Sequence, residues 1–280
     1  AAELNMSALI ARYQLEELPR KALTSQQREK YRLPILAKVF GEMRPEDIEP
    51  HHVWQYWRER GETVGARHEI RLLSCILTFG RRIGALTKPN PCYGLRLPDE
   101  PRRERYVTDA EFLAVRALAP TMVAYAMDLA LLCGMDRSTI LSLERRNITS
   151  EGIEFTRRKT GERQLIRWND DLRETVDAIL REPPRLRAAL ICTLHGERYT
   201  ADGFKALWHR TMEAAVAQGI ERFHFHDLRA KSASDADSDQ AAADRLGHQS
   251  AALTRRVYRR LPRQAEPARL PAKIVTTREE

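Results

Sequence analysis

Residues 226–229 read His-Asp-Leu-Arg, residues 246–248 read Leu-Gly-His, and residue 258 is a tyrosine. His226 and Arg229 stand three apart, a spacing that puts two side chains on one face of a helix. Arg255, Arg256, Arg259 and Arg260 surround Tyr258. Cations gathered around one phenol suit chemistry on a phosphate, with the arginines holding the oxygens and the phenol attacking the phosphorus. A free phenol titrates at about 10. Attack near neutral pH therefore needs a proton acceptor and a cationic setting.

Two further pieces lie in the same order along the chain. Lys159-Thr160-Gly161 falls between two alternating segments, and Leu253-Thr254 precedes Tyr258. His-x-x-Arg alone is a weak signal. Spaced this way, with Leu-Gly-His and the tyrosine, the set resembles the catalytic half of the tyrosine recombinases, the phage-integrase family. The resemblance covers residues 100 to 260 well and the N-terminal third more loosely. It implies site-specific breakage and rejoining of duplex DNA through a 3′-phosphotyrosine intermediate, in phage or mobile-element integration. It also implies no metal, no nucleotide and no other cofactor. On this reading Tyr258 is the nucleophile and Arg229 holds the non-bridging phosphate oxygens. His226 and His248 hydrogen-bond the same phosphate or shuttle the tyrosine proton, and Lys159 protonates the leaving 5′ oxygen. The implied partner is duplex DNA at an attachment or recombination site, bound as a homo-tetramer, with an accessory DNA-bending protein as a further candidate and no membrane. The implied location is the cytoplasm of a bacterial host cell.

One position departs from the pattern. The family carries a first arginine two residues after a helix-ending glycine, and Gly134 and Leu143 here frame Asp136 in that place. Arg137 is one position out of register. As an N-cap before Arg137-Ser138-Thr139-Ile140, Asp136 is worth about 1 kcal/mol of helix stability. Beside a phosphate it repels where the family clamps. Three accounts stay open: an engineered knock-out, a natural loss of catalysis, or a local shift in which Arg137 substitutes. Asp136 is expected to limit this chain's activity, and Asp136→Arg to raise it at some cost in stability.

Composition sets wider bounds. The chain has 280 residues, a net charge of +8 and 42% hydrophobic residues, enough for two packed domains or one large one, and its basic excess fits a polyanion without singling one out. The charge is spread along the sequence with no single basic tail, and arginine dominates lysine late in the chain. Cys75, Cys92, Cys133 and Cys192 form no Cys-x-x-Cys pair, which fits a reducing setting without structural disulfides. Cys75 and Cys133 fall in apolar helical patterns and read as core residues. No apolar run approaches the ~20 residues that span a bilayer. The N-terminus has no signal-peptide pattern and begins Ala-Ala, as a trimmed or tagged fragment would.

The fold class these patterns predict is mainly α (α+β). A helical core-binding domain occupies 1–97, a linker 98–106, and a catalytic domain with a small antiparallel sheet and a C-terminal tail 107–280. Helical spacing covers 7–40, a second helix ends at Gly61, and a third runs over 66–83. Lys88-Pro89-Asn90-Pro91 breaks the pattern. The prolines and alternating charges of 97–106 offer nothing to bury. Thr108 and Glu111 form a capping box, residues 121–133 a central apolar helix, and 152–157 with 163–168 a hairpin. Helical pattern resumes at Phe204. By resemblance the two domains form a C-shaped clamp on duplex DNA, and the proline-containing tail after Tyr258 packs on a neighbouring subunit.

Bland alternatives stand beside each assignment. Tyr258 alone reads as a half-buried helix residue, and Arg229 as a surface ion pair with Asp227 or Asp235. His224 and His226 would form a metal pair on one strand face, but no third ligand stands at useful spacing. The rival functions are a DNA-binding protein that lost the chemistry, for which Asp136 speaks, a type IB topoisomerase, and a basic helical protein with other macromolecular partners.

Overall fold

Apolar residues recurring on one face of successive helices give the first part of the chain its core. In the computed structural model, which describes residues 4–98, 103–157, 161–184 and 186–261, the chain divides into two units, Ala1–Pro101 and Arg102–Glu280. The first unit holds α1 (Met6–Glu16), α2 (Leu23–Phe40), α3 (Pro50–Glu59) and α4 (Val64–Arg82). Leu9, Tyr13, Leu36, Phe40, Leu73 and Leu77 meet in its centre. The single helical run expected over 7–40 is two helices: a short turn at Leu18–Arg20, with Pro19 in it, ends the first before Leu23 begins the second. The buried Glu69 carboxylate accepts from the Tyr56 hydroxyl at 2.6 Å and from two nitrogens of Arg60 at 3.0 and 2.8 Å, so a charge inside this core has its partners. Asn90, in the proline-bounded breaker, turns back and donates to the Ser74 carbonyl at 2.9 Å and the Thr78 hydroxyl at 3.0 Å. Cys75 corrects the sequence reading: it lies on the solvent side of α4, whereas Cys133 is buried.

The second unit begins with side chains bound into it. The Tyr106 hydroxyl donates to Asp235 at 2.6 Å, and Arg105 pairs with Glu111. The Thr108–Glu111 capping box opens α5 (Asp109–Leu118), and the apolar α6 (Thr121–Cys133) runs through the core. α7 (Arg137–Ser142) follows. β1 (Gly152–Thr156) and β2 (Arg163–Arg167) pair antiparallel with Phe155 opposite Gln164. α8 (Asp170–Arg181) escaped the sequence reading, although Asn169 caps it and Leu172, Val176 and Ile179 give it a buried stripe. α9 (Ala201–Ala217), α10 (Phe225–Ser234), α11 (Asp239–Leu246) and α12 (Ala251–Tyr258) complete the unit. α10 packs on α6, α11 and α12. The result is a mainly helical fold with one small antiparallel sheet among the described residues. No helix among them is long and apolar enough to cross a membrane. Lys159 and the tail beyond Leu261 lie outside the described residues.

Asp136 caps α7 as its sequence context requires. Its carboxylate accepts from the Thr139 backbone N–H at 3.1 Å, the Thr139 hydroxyl at 2.8 Å and the Ser138 hydroxyl at 2.5 Å. Asp136→Ala should therefore lower the unfolding free energy by about 1 kcal/mol. Urea denaturation of the two proteins checks this, and equal midpoints would show that the cap carries no stability.

Candidate active site

The site forms where helices end. Gly134 closes α6 with φ +59°, a left-handed conformation that glycine adopts without strain. A methyl there would also come within 2.8 Å of Leu246 Cδ1. Gly247 closes α11 in the same way at φ +61°. The two helix C-termini thus bring their last carbonyls together, and both carry partial negative charge. Arg229, from α10, fills the space between them. It is 5% exposed and its guanidinium donates to the Gly134 carbonyl, to the Leu246 carbonyl at 2.8 Å and to His248 Nε2 at 3.1 Å. The ion pairs offered as its alternative partners do not form. Asp227 pairs with Arg260 at 2.9 Å and Asp235 with the buried Lys231 at 2.8 Å.

Those bonds fix a tautomer. A guanidinium only donates, so His248 Nε2 accepts and the ring proton sits on Nδ1. Nδ1 then donates to the Thr254 hydroxyl at 2.9 Å, and that hydroxyl donates on to the Ser250 carbonyl at 3.2 Å. Thr254 is buried one turn before Tyr258, so the histidine and the last helix are held together.

Tyr258 is half-buried. Its ring lies 5.5 Å from the Arg229 guanidinium carbon, 5.0 Å from the His248 ring and 5.8 Å from the His226 ring. The chain just beyond it is pinned: Arg259 donates to the Ala236 carbonyl at 2.6 Å and Arg260 to Asp227. Four sequence-predicted residues, Arg229, His226, His248 and Tyr258, thus come together. Asp136 sits close enough to Arg229 for the two charges to interact. Arg137 lines an adjoining hollow of about 610 Å³ with Asp136, Lys205, Arg222, His224 and His226. His224 and His226 belong to the start of a helix, not to a strand face, and His224 caps it, its backbone N–H donating to Asp227 at 2.7 Å.

Charge in the site favours neutral histidines. Burial, then the Arg229 and Arg157 guanidiniums, pushes His248 down to about 4. Burial and Arg229 lower His226 as well, against the opposing pull of Asp227 and Asp136. Burial lowers Arg229 too, while Tyr258 and Asp136 favour its charge. Burial would raise Asp136, but the Ser138 and Thr139 hydrogen bonds and the Arg229 charge outweigh it and hold the carboxyl below its usual value.

Arg157, which sequence reasoning passed over, also belongs here. It is 7% exposed and follows Ile153 and Phe155 on the buried face of β1. Its guanidinium lies against Gly247, where a methyl group would overlap it. The signal was legible: a strand alternates faces, so an arginine in phase with two buried apolar residues points inward.

The His248 shift makes a pH prediction. Between about 4 and 6.5 the unfolded chain binds the His248 proton and the folded chain does not. Stability from this group is complete above the unfolded value and is lost as pH falls through that window. Thermal unfolding from pH 7 to 4.5 should show it, and His248→Gln should flatten the profile. Parallel profiles for the two proteins would contradict the assignment.

Comparison with known proteins accords with this geometry. A family profile described as the phage integrase family matches residues 111–264. The fold is similar to that of a lambda integrase dimer bound to a COC′ core site, with a TM-score of 0.80 at 18% identity, covering 96% of this chain and 100% of that one. A lambda integrase tetramer bound to a Holliday junction gives 0.79 at 18% identity, covering 96% of this chain and 81% of that one. The Tn1549 transposon integrase in complex with circular intermediate DNA gives 0.73 at 13% identity, covering 91% of this chain and 95% of that one. No curated protein sequence matches the chain. The structural likenesses establish the fold, and the profile spans more than half of the sequence: the protein is a member of the phage integrase family, the tyrosine recombinases.

Proposed function

We propose that this chain cuts and rejoins duplex DNA by transesterification, with Tyr258 as the nucleophile. The observation that carries the reading is the placement of the Tyr258 ring over a buried guanidinium and beside two histidines whose environments keep them neutral. The Tyr258 oxygen attacks the phosphorus and the bond to the 5′ oxygen breaks, leaving a 3′-phosphotyrosine. His226, exposed at the rim and neutral, accepts the phenol proton. Arg229 stabilises the charge that builds on the non-bridging oxygens with donors its three protein acceptors leave over. His248 holds that guanidinium in place. Lys159 is assigned the proton for the departing 5′ oxygen. The 5′ hydroxyl reverses the step on a new strand, so the bond energy is conserved and no nucleotide is consumed. Duplex DNA is the partner. A homo-tetramer on two sites is the assembly, by analogy with the lambda integrase tetramer on a Holliday junction.

A second reading keeps DNA binding and drops the chemistry. Asp136 favours it, because a carboxylate stands where the family places its first arginine.

One set of measurements separates the two. The probe is a nicked duplex selected from a random pool by binding to the chain. Binding should weaken steeply with salt, with a log–log slope of about −0.9 per phosphate contacted. The parent should form a covalent adduct, and Tyr258→Phe should bind with similar affinity and form none. Binding without an adduct by the parent would favour the second reading. A salt-independent affinity would remove DNA as the partner.

A further inference from the structure

Arg157 poses a physical problem that the roles above do not solve. Its side chain is more than nine-tenths buried, yet among the described residues no carboxylate pairs with it. One terminal nitrogen donates to the Gln164 side-chain oxygen, the Phe155 ring lies 5.5 Å from the guanidinium carbon, and the buried Nε has no acceptor. A buried cation without an anion is costly, and each unsatisfied donor there adds to the cost. Burial, followed by the like charge of Arg229, pushes Arg157 down to about 10, against the pull of Asp136, Glu162 and Tyr258.

The position is held firmly. Gln164 stands opposite Phe155 in the hairpin register. Its amide nitrogen donates to the Asp244 and Arg245 carbonyls at 2.8 and 3.0 Å, clipping the hairpin to the end of α11. Its oxygen takes the Arg157 bond, so one side chain ties hairpin, guanidinium and helix end together. Gly247, against which Arg157 packs, separates Leu246 from His248, and both neighbours accept from Arg229. Two guanidiniums therefore approach one helix terminus from different elements, and the nearby Asp136 carboxylate is already engaged by Ser138 and Thr139. Such a pair lacks one thing, a further anion with several acceptor oxygens.

We propose that Arg157 is a phosphate-binding residue of this site, supplying with Arg229 the second guanidinium that position 136 does not. The terminal N–H groups that the Gln164 bond leaves over are the donors offered to a non-bridging oxygen. This rests on the strand-transfer reading for its purpose, but the anion site itself is testable without DNA.

The first probe is inorganic phosphate, compared with chloride at equal ionic strength. Phosphate should raise the melting temperature of the full chain. Arg157→Gln should lose that increment, Arg157→Lys should keep part of it, and Arg163→Ala, an exposed change on the same hairpin, should keep all of it. The second probe is the nicked duplex. There Arg157→Gln should slow adduct formation by about ten- to a hundredfold, the span expected for one charge-assisted hydrogen bond, with affinity changed far less. Circular dichroism and the melting temperature in chloride report whether each variant is folded. If Arg157→Gln misfolds, the folded Arg157→Lys against the parent decides the matter. A phosphate increment that is absent in the parent, or undiminished in both Arg157 variants, overturns the proposal and leaves the role of Tyr258 standing. An increment that depends on Arg157 in a chain that forms no adduct upholds the anion site and sinks strand transfer instead.

Discussion

The site depends on one buried cation held by backbone. Among the described residues Arg229 makes no ion pair with a carboxylate; it is held by the carbonyls of Gly134 and Leu246. These belong to the C-terminal ends of two helices, where the aligned peptide dipoles leave partial negative charge. The arrangement stabilises the guanidinium without neutralising it. A full salt bridge would satisfy the charge and leave little for a phosphate to gain. Carbonyl dipoles hold the side chain in place and keep its net charge available. Both helix ends need glycine to turn there, so the glycines, the arginine and the helix lengths form one constraint.

The same constraint orders its surroundings. Because Arg229 only donates, His248 must accept, and because His248 accepts on Nε2 its other nitrogen must find Thr254. Thr254 lies on the helix that carries Tyr258, so Tyr258 is positioned through a chain of three side chains. Arg259 and Arg260 fasten the segment after it to α10 and its end. Two neutral histidines beside two arginines are what this crowding of positive charge dictates. Protonating either would add another cation beside Arg229 and Arg157, with the Asp136 carboxylate near them.

Much of this was legible in the sequence, and for identifiable reasons. His226, Arg229, His248 and Tyr258 are polar residues whose spacings resemble the tyrosine-recombinase pattern, and that resemblance is what singled them out. The Asp136 cap was readable because an acid between a helix-ending glycine and Ser-Thr has a local job. The fold class followed from helical apolar spacing and one alternating hairpin. What stayed hidden depends on three-dimensional neighbours. The inward direction of Arg157 was readable from strand alternation, but its place against Gly247, distant in sequence, was not. Cys75 looked interior because it sits among apolar residues, yet α4 turns it outward. The stretch over 7–40 looked continuous because apolar periodicity does not register the short turn between the two helices. α8 was missed although its cap and buried stripe obey the ordinary rules.

In the proposed function the phenol of Tyr258, set against Arg229, is the group that joins to DNA. The most direct test is to trap the parent chain on a nicked duplex, digest away the DNA and protein, and map the nucleotide-bearing peptide by mass spectrometry. The account predicts a nucleotide mass, attached through phosphate, on Tyr258. A nucleotide on any other side chain would contradict it.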